Sequence, residues 1–250
     1  MDWTDEGIVL SARPHAETAA VAVLLTREHG RHAGLVHGGQ GRQMRPVLEP
    51  GTLVEARWRG RLAENLGGYG LEPKRSVSAG LLDEPLRLAA LSSACAIADA
   101  ALAEREPHPG LYLATLALME ALETDVWAEV YVRWEVGLLD EIGFGLDLER
   151  CAATGVNDQL AFVSPRTGRA VSLSASEPYR DKLLPLPGFL IGRGGGGPDE
   201  VAMGLALTGH FLERHVFAQR HIEVPPARAR FVDRYRKKHT ISGILAAEES

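Results

Sequence analysis

The sequence predicts an α+β, multidomain protein in which a small N-terminal β-barrel is followed by a mainly α-helical domain. Three observations lead there. Five short apolar or alternating stretches, separated by glycine-bearing turns, fill the first 80 residues. Beyond residue 86 the pattern changes to Ala- and Leu-rich runs with the three- and four-residue spacing of amphipathic helices. The 250 residues are 45% hydrophobic and 24% charged, enough apolar material for the core of one large domain or two small ones.

Gly7 to Ser11 is short and apolar, and Ala19 to Thr26 is rich in Val and Leu. Arg31 to Val36 follows the turn-like His29-Gly30. Thr52 to Trp58 alternates, with Leu53, Glu55 and Arg57 on one side and Val54, Ala56 and Trp58 on the other. Leu66 to Ser78 is a weaker fifth strand, interrupted by Gly67, Gly68 and Gly70. The polar, basic, glycine-rich stretch from Gly38 to Pro50 reads as a mobile loop. Helices are expected over 86–104 and 111–123, the first closed by Pro107 and Pro109. A third carries Trp127, Val130, Tyr131, Trp134 and Leu138 on one face and ends near Gly143. Residues 151–176 read as a small irregular module, and Gly192 to Gly197 as a flexible linker. Pro198, Asp199 and Glu200 then open a helix that runs to about Phe217, and a short basic helix covers Ala227 to Lys237. The expected domains are 1–80 and 81–250, the second holding the 151–176 module.

Charge is unevenly spread. The net charge is −6, which argues mildly against nucleic acid meeting the whole surface. From Arg27 to Arg61 there are seven basic residues against three acidic, and from Arg228 to Lys238 six against one. From Asp83 to Asp158 there are four basic against fifteen acidic. A polyanion is therefore expected at the two ends of the chain rather than its middle. The two cysteines, Cys95 and Cys151, are too few and too far apart for a disulfide framework. The opening MDWTDEGIVL is unlike a signal peptide, and no apolar run approaches the roughly 18 residues of a membrane span. The expected setting is the cytoplasm.

Several groups of residues carry possible chemistry. Arg27, Arg31, Arg42, Arg45, Arg57, Arg59 and Arg61 sit in the barrel segment with Trp58 and Tyr69 nearby. Cations for phosphates and aromatics for bases suit single-stranded nucleic acid, although a solvated surface accounts for the arginines equally well. Cys151, Thr154, Ser172 and Ala175 have the spacing of a four-cysteine zinc module with three ligands lost. A hydroxyl and a methyl cannot replace thiolates, so no metal and no cofactor are expected, and Cys151 reads as a buried small side chain. His210, Glu213 and His215 approach zinc-protease spacings, but residues five apart on a helix lie about 140° from each other. The glycine run before Pro198 lacks the lysine and serine of a phosphate loop. No catalytic triad or carboxylate pair emerges, and Cys95 reads as core.

Taken in order, the pieces resemble the RecO family of bacterial recombination mediators. The resemblance runs from Glu6-Gly7-Ile8-Val9-Leu10 through Glu17-Thr18 to Leu25-Thr26-Arg27-Glu28-His29-Gly30 and Pro50-Gly51-Thr52-Leu53-Val54-Glu55. Its most telling stretch is Glu135-Val136-Gly137-Leu138-Leu139-Asp140-Glu141-Ile142-Gly143-Phe144, then Leu146-Asp147-Leu148 and Cys151. It covers residues 5 to 217. It implies an OB-fold domain, then a helical domain with an inserted zinc-finger-like module, here degenerate at Thr154, Ser172 and Ala175. It implies no catalytic site. It implies binding of single- and double-stranded DNA, annealing of complementary strands, and partnership with RecR and with the acidic tail of single-strand binding protein, so that the recombinase is loaded at gaps. An acidic, apolar-ended tail needs an apolar groove with a few cations. The candidates are Arg133 and Arg150 at helix ends and the C-terminal run with Arg228, Arg230 and Arg234. A frayed, solvated tail is the competing account of that run. Two rival functions are a small hydrolase using His210 or His215 and a protein-only adaptor.

Overall fold

A computed structural model describes residues 1–62 and 64–239. The chain forms two compact units, Met1–Glu123 and the chain from Thr124 on. The change near residue 80 is one of secondary structure, since strands give way to helices there. The first two long helices nevertheless belong to the same compact unit as the barrel.

Five strands build that barrel: β1 (Asp2–His15), β2 (Ala19–Thr26), β3 (Gly30–Val36), β4 (Thr52–Arg59) and β5 (Gly68–Ser76). They close in the order β1-β2-β3-β5-β4, the Greek-key order of an OB-fold. Closure rests on one long strand. The first half of β1 pairs with β4, Asp2 opposite Arg59 through Ile8 opposite Leu53. Its second half pairs with β2 after an irregularity between Val9 and Ser11. That kink bends the strand around the barrel corner. The sequence marks only Gly7–Ser11 of β1. The polar flanks hide the rest, because Asp2, Thr4 and Glu6 face water while Trp3 faces inward. Pro14 is tolerated because β1 has a partner on one side only at that point.

The barrel core consists of Val9, Ala20, Ala22, Leu24, Val36, Val54, Ala56, Trp58 and Tyr69, joined by Val47 and Leu48. The last two correct the expectation of a mobile loop over 38–50. That segment coils into helical turns, with Leu48 N–H donating to Met44 O at 3.0 Å, and sinks its two aliphatic residues into the barrel end. Burying these side chains overrides the loop-like composition. The fifth strand stops at Ser76, whose hydroxyl caps the short helix α1 (Val77–Gly80). Helices α2 (Pro85–Ala101) and α3 (Pro109–Ala121) follow. The buried face of α2 includes Leu91, Ala94, Cys95 and Ala98. Burial pushes the Cys95 thiol up to about 12, which leaves it inert.

The second unit contains α4 (Trp127–Glu141), a small sheet, and two further helices. Strands β6 (Leu160–Val163), β7 (Ala170–Ser172) and β8 (Leu184–Pro185) pair in the order β7-β6-β8, with α5 (Leu173–Ser176) between β7 and β8. Gly192 and Gly194 have φ of +72° and +78° before α6 (Pro198–Phe211), which widens into a further turn over Leu212–Phe217. Helix α7 (Pro226–His239) is no frayed tail. Phe231 and Tyr235 are buried, and Phe231 lies 4.6 Å from the Tyr131 ring and 6.1 Å from that of Trp127.

A buried ion pair anchors α7. Glu135 is fully buried on the apolar face of α4 and accepts from Arg228 Nε at 2.7 Å and Nη2 at 2.9 Å. Arg228 also donates to Leu205 O, and Thr208 and Tyr131 donate to the same carboxylate. Burial by itself would favour the neutral guanidine, but the Glu135 charge and hydrogen bonds raise the Arg228 pKa above its ordinary value. Replacing Arg228 by Met leaves the carboxylate buried and unpaired. We expect a loss of about 3–5 kcal/mol in urea unfolding, largely regained in the double variant E135M/R228M. An R228M loss under about 1 kcal/mol in that measurement contradicts this role.

Candidate nucleic-acid interface

The outer face of β1, β4 and β5 is organised in rows across the strands. Glu55 of β4 lies opposite Glu6 of β1 and Glu72 of β5, a row of three carboxylates. Like charges directly opposite each other repel. Lys74 offsets this, with Nζ 2.6 Å from Glu6 and 3.8 Å from Glu55, and the hydrogen bond to Glu6 raises its pKa. Two rows follow with the opposite character: Thr4–Arg57–Gly70 and Asp2–Arg59–Gly68. Arg57 is 62% exposed and meets Glu55 and Glu72 only at 3.9 and 4.0 Å. Arg59 is also exposed. Beside them Gly70 offers bare backbone, since a Cβ there would touch nothing within 4 Å. Exposed cations, the first only loosely paired, next to uncovered backbone leave room for a phosphate chain to approach closely.

The other arginines of the set go elsewhere. Arg61 is exposed just past β4, and Arg27 is exposed in the β2–β3 turn at the same barrel end. Arg42 and Arg45 lie at the opposite end, on the 38–50 segment. There Arg45 donates to Gln40 O and shares a cavity of about 370 Å³ with Arg13, an exposed cation outside the predicted set. Arg31 is committed to Asp99 of α2, through Nε at 2.8 Å and Nη2 at 2.8 Å, while Ser11 donates to the same carboxylate at 2.6 Å. It locks α2 to the barrel instead of presenting a free charge.

The predicted base-stacking aromatics are also re-sorted. Trp58 is 1% and Tyr69 6% exposed, both inside the barrel. Trp58 Nε1 donates to Leu66 O, and Tyr69 Oη pairs with His32 Nδ1 at 2.8 Å. Their rings need glycine around them. A Cβ on Gly34 would fall 2.4 Å from the Tyr69 ring, and one on Gly67, at φ +58°, would fall 2.4 Å from the Trp58 indole. The aromatic that reaches the surface is Trp3. It stacks on His29 at 4.0 Å and lies nearly parallel to Trp58 at 5.9 Å. The isolated Trp3 between acids carries no strand pattern that would reveal this.

In the second unit, Arg133 donates to Phe189 O and lies over the Phe189 ring at 5.6 Å. Arg150 and Arg193 line a cavity of about 460 Å³ with Leu148, Leu160, Leu190 and Ile191. Arg230 and Arg234 are exposed on α7, whereas Arg228 is the buried partner of Glu135 and is unavailable to a docking protein. His210 Nε2 sits 3.2 Å from Pro165 O, and His215 stacks on Phe211. Among the described residues no group of three or more His, Cys, Asp or Glu gathers to hold a metal, and no helix is long and apolar enough to cross a membrane.

Comparison with known proteins adds to this geometry. Residues 1–70 match the model of the recombination protein O N-terminal domain, and residues 82–221 that of its C-terminal domain. The chain belongs to the RecO family. It is 73% identical over 249 residues to the DNA repair protein RecO of Rhodospirillum centenum, covering 99% of this chain and 100% of that one. The RecO of Phenylobacterium zucineum is 53% identical over 236 residues, 94% of this chain and 97% of the relative. That of Rhodospirillum rubrum is 47% identical over 250 residues, at 95% and 97% coverage.

The RecO resemblance raises the question of zinc at Cys151, and the residues present do not fit it. Ser172 N–H donates to Cys151 Sγ at 3.3 Å, and Ser172 Oγ lies 3.4 Å from the sulfur. Ala175 contributes its backbone N–H to Ser172 Oγ at 3.4 Å and nothing toward a metal. Burial disfavours the thiolate, but hydrogen bonds from Ser172 and Thr154 outweigh it and bring the thiol down to about 6. Hydrogen bonds thus surround the sulfur where the zinc-bearing pattern would place further thiolates. Elemental analysis of the purified protein should find well below one zinc per chain; a stoichiometric metal would refute this account of the Cys151 site.

The barrel interior should make stability pH-dependent. Burial, then the charges of Arg105 and His29, lower the His32 pKa from 6.5 to about 4 against an opposing backbone hydrogen bond. Between those values the unfolded chain binds the extra proton. Stability from this group is therefore present above pH 6.5 and falls on acidification toward pH 4, by on the order of 3 kcal/mol. Urea unfolding at pH 7 and pH 4.5 should show the drop, and His32→Gln should remove most of it.

Proposed function

We propose that this RecO-family chain is a non-enzymatic DNA repair and recombination mediator of the cytoplasm, associated with the nucleoid. It binds single- and double-stranded DNA through the barrel and anneals complementary strands. With RecR and the tail of single-strand binding protein as partners, it helps load the recombinase on coated gaps. The observation that carries this reading is the pair of exposed arginines, Arg57 and Arg59, beside the bare backbone at Gly70, with Arg61 following. Two DNA strands repel through their phosphates. Cations that neutralise both lower that barrier, and base pairing supplies the free energy, so neither nucleotide nor cofactor is required.

The partner reading draws support from the second unit. The groove of Leu148, Leu160, Leu190 and Ile191 combines an apolar floor with the cations Arg150 and Arg193, the chemistry that an acidic tail with apolar end residues needs. Arg230 and Arg234 add exposed positive charge on α7. Arg133 serves more to hold Phe189 than to meet a partner. A hydrolase reading finds no support in His210, held at the Pro165 carbonyl, or in His215, stacked on Phe211 with its Nε2 buried away from solvent.

The test is a titration of single-stranded DNA at several salt concentrations, paired with strand annealing without nucleotide or metal. Replacing Arg57, Arg59 and Arg61 together by Ala should reduce the slope of log affinity against log salt by about 2, at about 0.7 per phosphate contact on single strands. Annealing should slow in parallel. An unchanged slope and rate in the folded triple variant would falsify the β4 site. The same loss with R42A/R45A instead would move the site to the opposite barrel end.

A further inference from the structure

Between the start of β1, the β2–β3 turn and the end of β4 lies a cavity of about 520 Å³, lined by Met1, Asp2, Trp3, Glu28, His29, His32, Trp58 and Arg105. Its walls are unusually aromatic. Trp3 lies flat on His29, meets His32 edge-on at 5.0 Å, and runs nearly parallel to Trp58 behind it. His29 is held at its ring edge by Asp5, 3.1 Å from Nδ1, and remains one-third exposed. The wall is therefore fixed before anything binds. Asp5 is itself occupied by the Glu6 and Glu28 backbone N–H groups.

Arg105 brings a guanidinium to this lining, beside the Met1 α-ammonium, which donates to Gly60 O at 2.8 Å. The Arg105 backbone has φ +63°, the left-handed region that is costly for a side chain of this kind. Its Nη2 donates to Asn65 O at 3.0 Å, while its Nε is buried without a partner. A buried donor without an acceptor is costly, and it asks for a ligand oxygen or nitrogen. The neighbouring depression of about 370 Å³ shares Asp2, Trp3 and Trp58 and adds Arg57 and Arg59. The phosphate-ready arginines and the aromatic cavity thus meet along one wall.

We infer that this cavity takes an unpaired nucleobase of a DNA strand whose phosphates lie on Arg57 and Arg59. The inference rests on the DNA-binding reading above and gives it a second, uncharged component. The base lies against the Trp3–His29 wall, and a ring nitrogen or carbonyl oxygen accepts from Arg105. The carboxylates of Asp2 and Glu28 repel phosphate and so keep the backbone on the β4 side. They also offer acceptors to exocyclic amino groups. Stacking needs a π-face and not a particular sequence, so the pocket tolerates any base. Duplex DNA, with its bases paired and stacked, cannot enter. The pocket therefore favours single strands and strand ends over double strands, a preference that the arginines alone do not provide.

The test uses the full chain and single-stranded oligonucleotides carrying 5-iododeoxyuridine. Ultraviolet cross-linking followed by peptide mapping should place the adduct on Trp3 or His29. Trp3→Ala should weaken single-strand affinity by about 5- to 100-fold, the range of one lost stacking contact. It should leave the salt slope and the duplex affinity unchanged. Trp3→Phe, which keeps a ring in the barrel end, should retain most of the affinity and serves where the Ala variant fails to fold. Adducts confined to other segments overturn the inference, and so does a folded Ala variant with native single-strand affinity. Either result leaves the arginine site standing. Absence of any DNA binding by the native chain would instead remove the functional reading itself.

Discussion

The register of β4 between β1 and β5 is the constraint on which the first unit depends. Side chains alternate across a strand, so pairing Trp58 with Trp3 and Tyr69 sends all three toward the barrel interior. The same pairing sends Arg57 and Arg59 outward. A slip of one residue would bury two guanidinium groups and expose an indole, an exchange costly in both directions. Interior packing therefore determines which cations reach solvent. The long, kinked β1 makes this register possible, because it supplies β4 with a partner at its start and β2 with one at its end.

A different device organises the second unit. An acid at position 135 of an apolar helix face cannot stay there unpaired, and Arg228 supplies both its charge and its hydrogen bonds. Such a pair adds little net stability over well-packed apolar residues, but it discriminates strongly among ways of docking α7. Any other placement leaves two charges stranded. The basic face of α7 is thereby turned to solvent, with Arg230 and Arg234 exposed. In the same unit the segment around Cys151 is held by hydroxyl and amide hydrogen bonds around one sulfur.

Much of the fold was legible from local pattern. The bounds of β2 and β4, the three central helices and the start of α6 follow from alternation, helical spacing and proline at helix starts. These signals are local because the backbone hydrogen bonds and side-chain periodicity that produce them are local. In the 38–50 segment the glycines and arginines outweigh Val47 and Leu48 in composition and give it the pattern of a loop, whereas burial weighs those two residues most. Glu135 did carry a signal, an acid four residues after Tyr131 and three before Leu138 on the apolar face, yet its partner lies 93 residues away.

The sequence by itself determined that a barrel precedes helices, that cations crowd the barrel segment, and that Thr154, Ser172 and Ala175 bring no thiolate to Cys151. Each is a property of residue type and short-range order. Only the tertiary structure decided which cations are free. Arg31 and Arg228 are as basic in sequence as Arg57 and Arg59, but the first two are held at 2.7 to 2.9 Å by carboxylates of distant segments, whereas Arg57 and Arg59 stay exposed and Arg57 meets Glu55 and Glu72 only at 3.9 and 4.0 Å. It likewise made Trp58 and Tyr69 core and left Trp3 at the rim. Charge and aromaticity belong to the residue, whereas availability depends on what the fold places within about 3 to 4 Å of it, and that neighbour is rarely close in the chain.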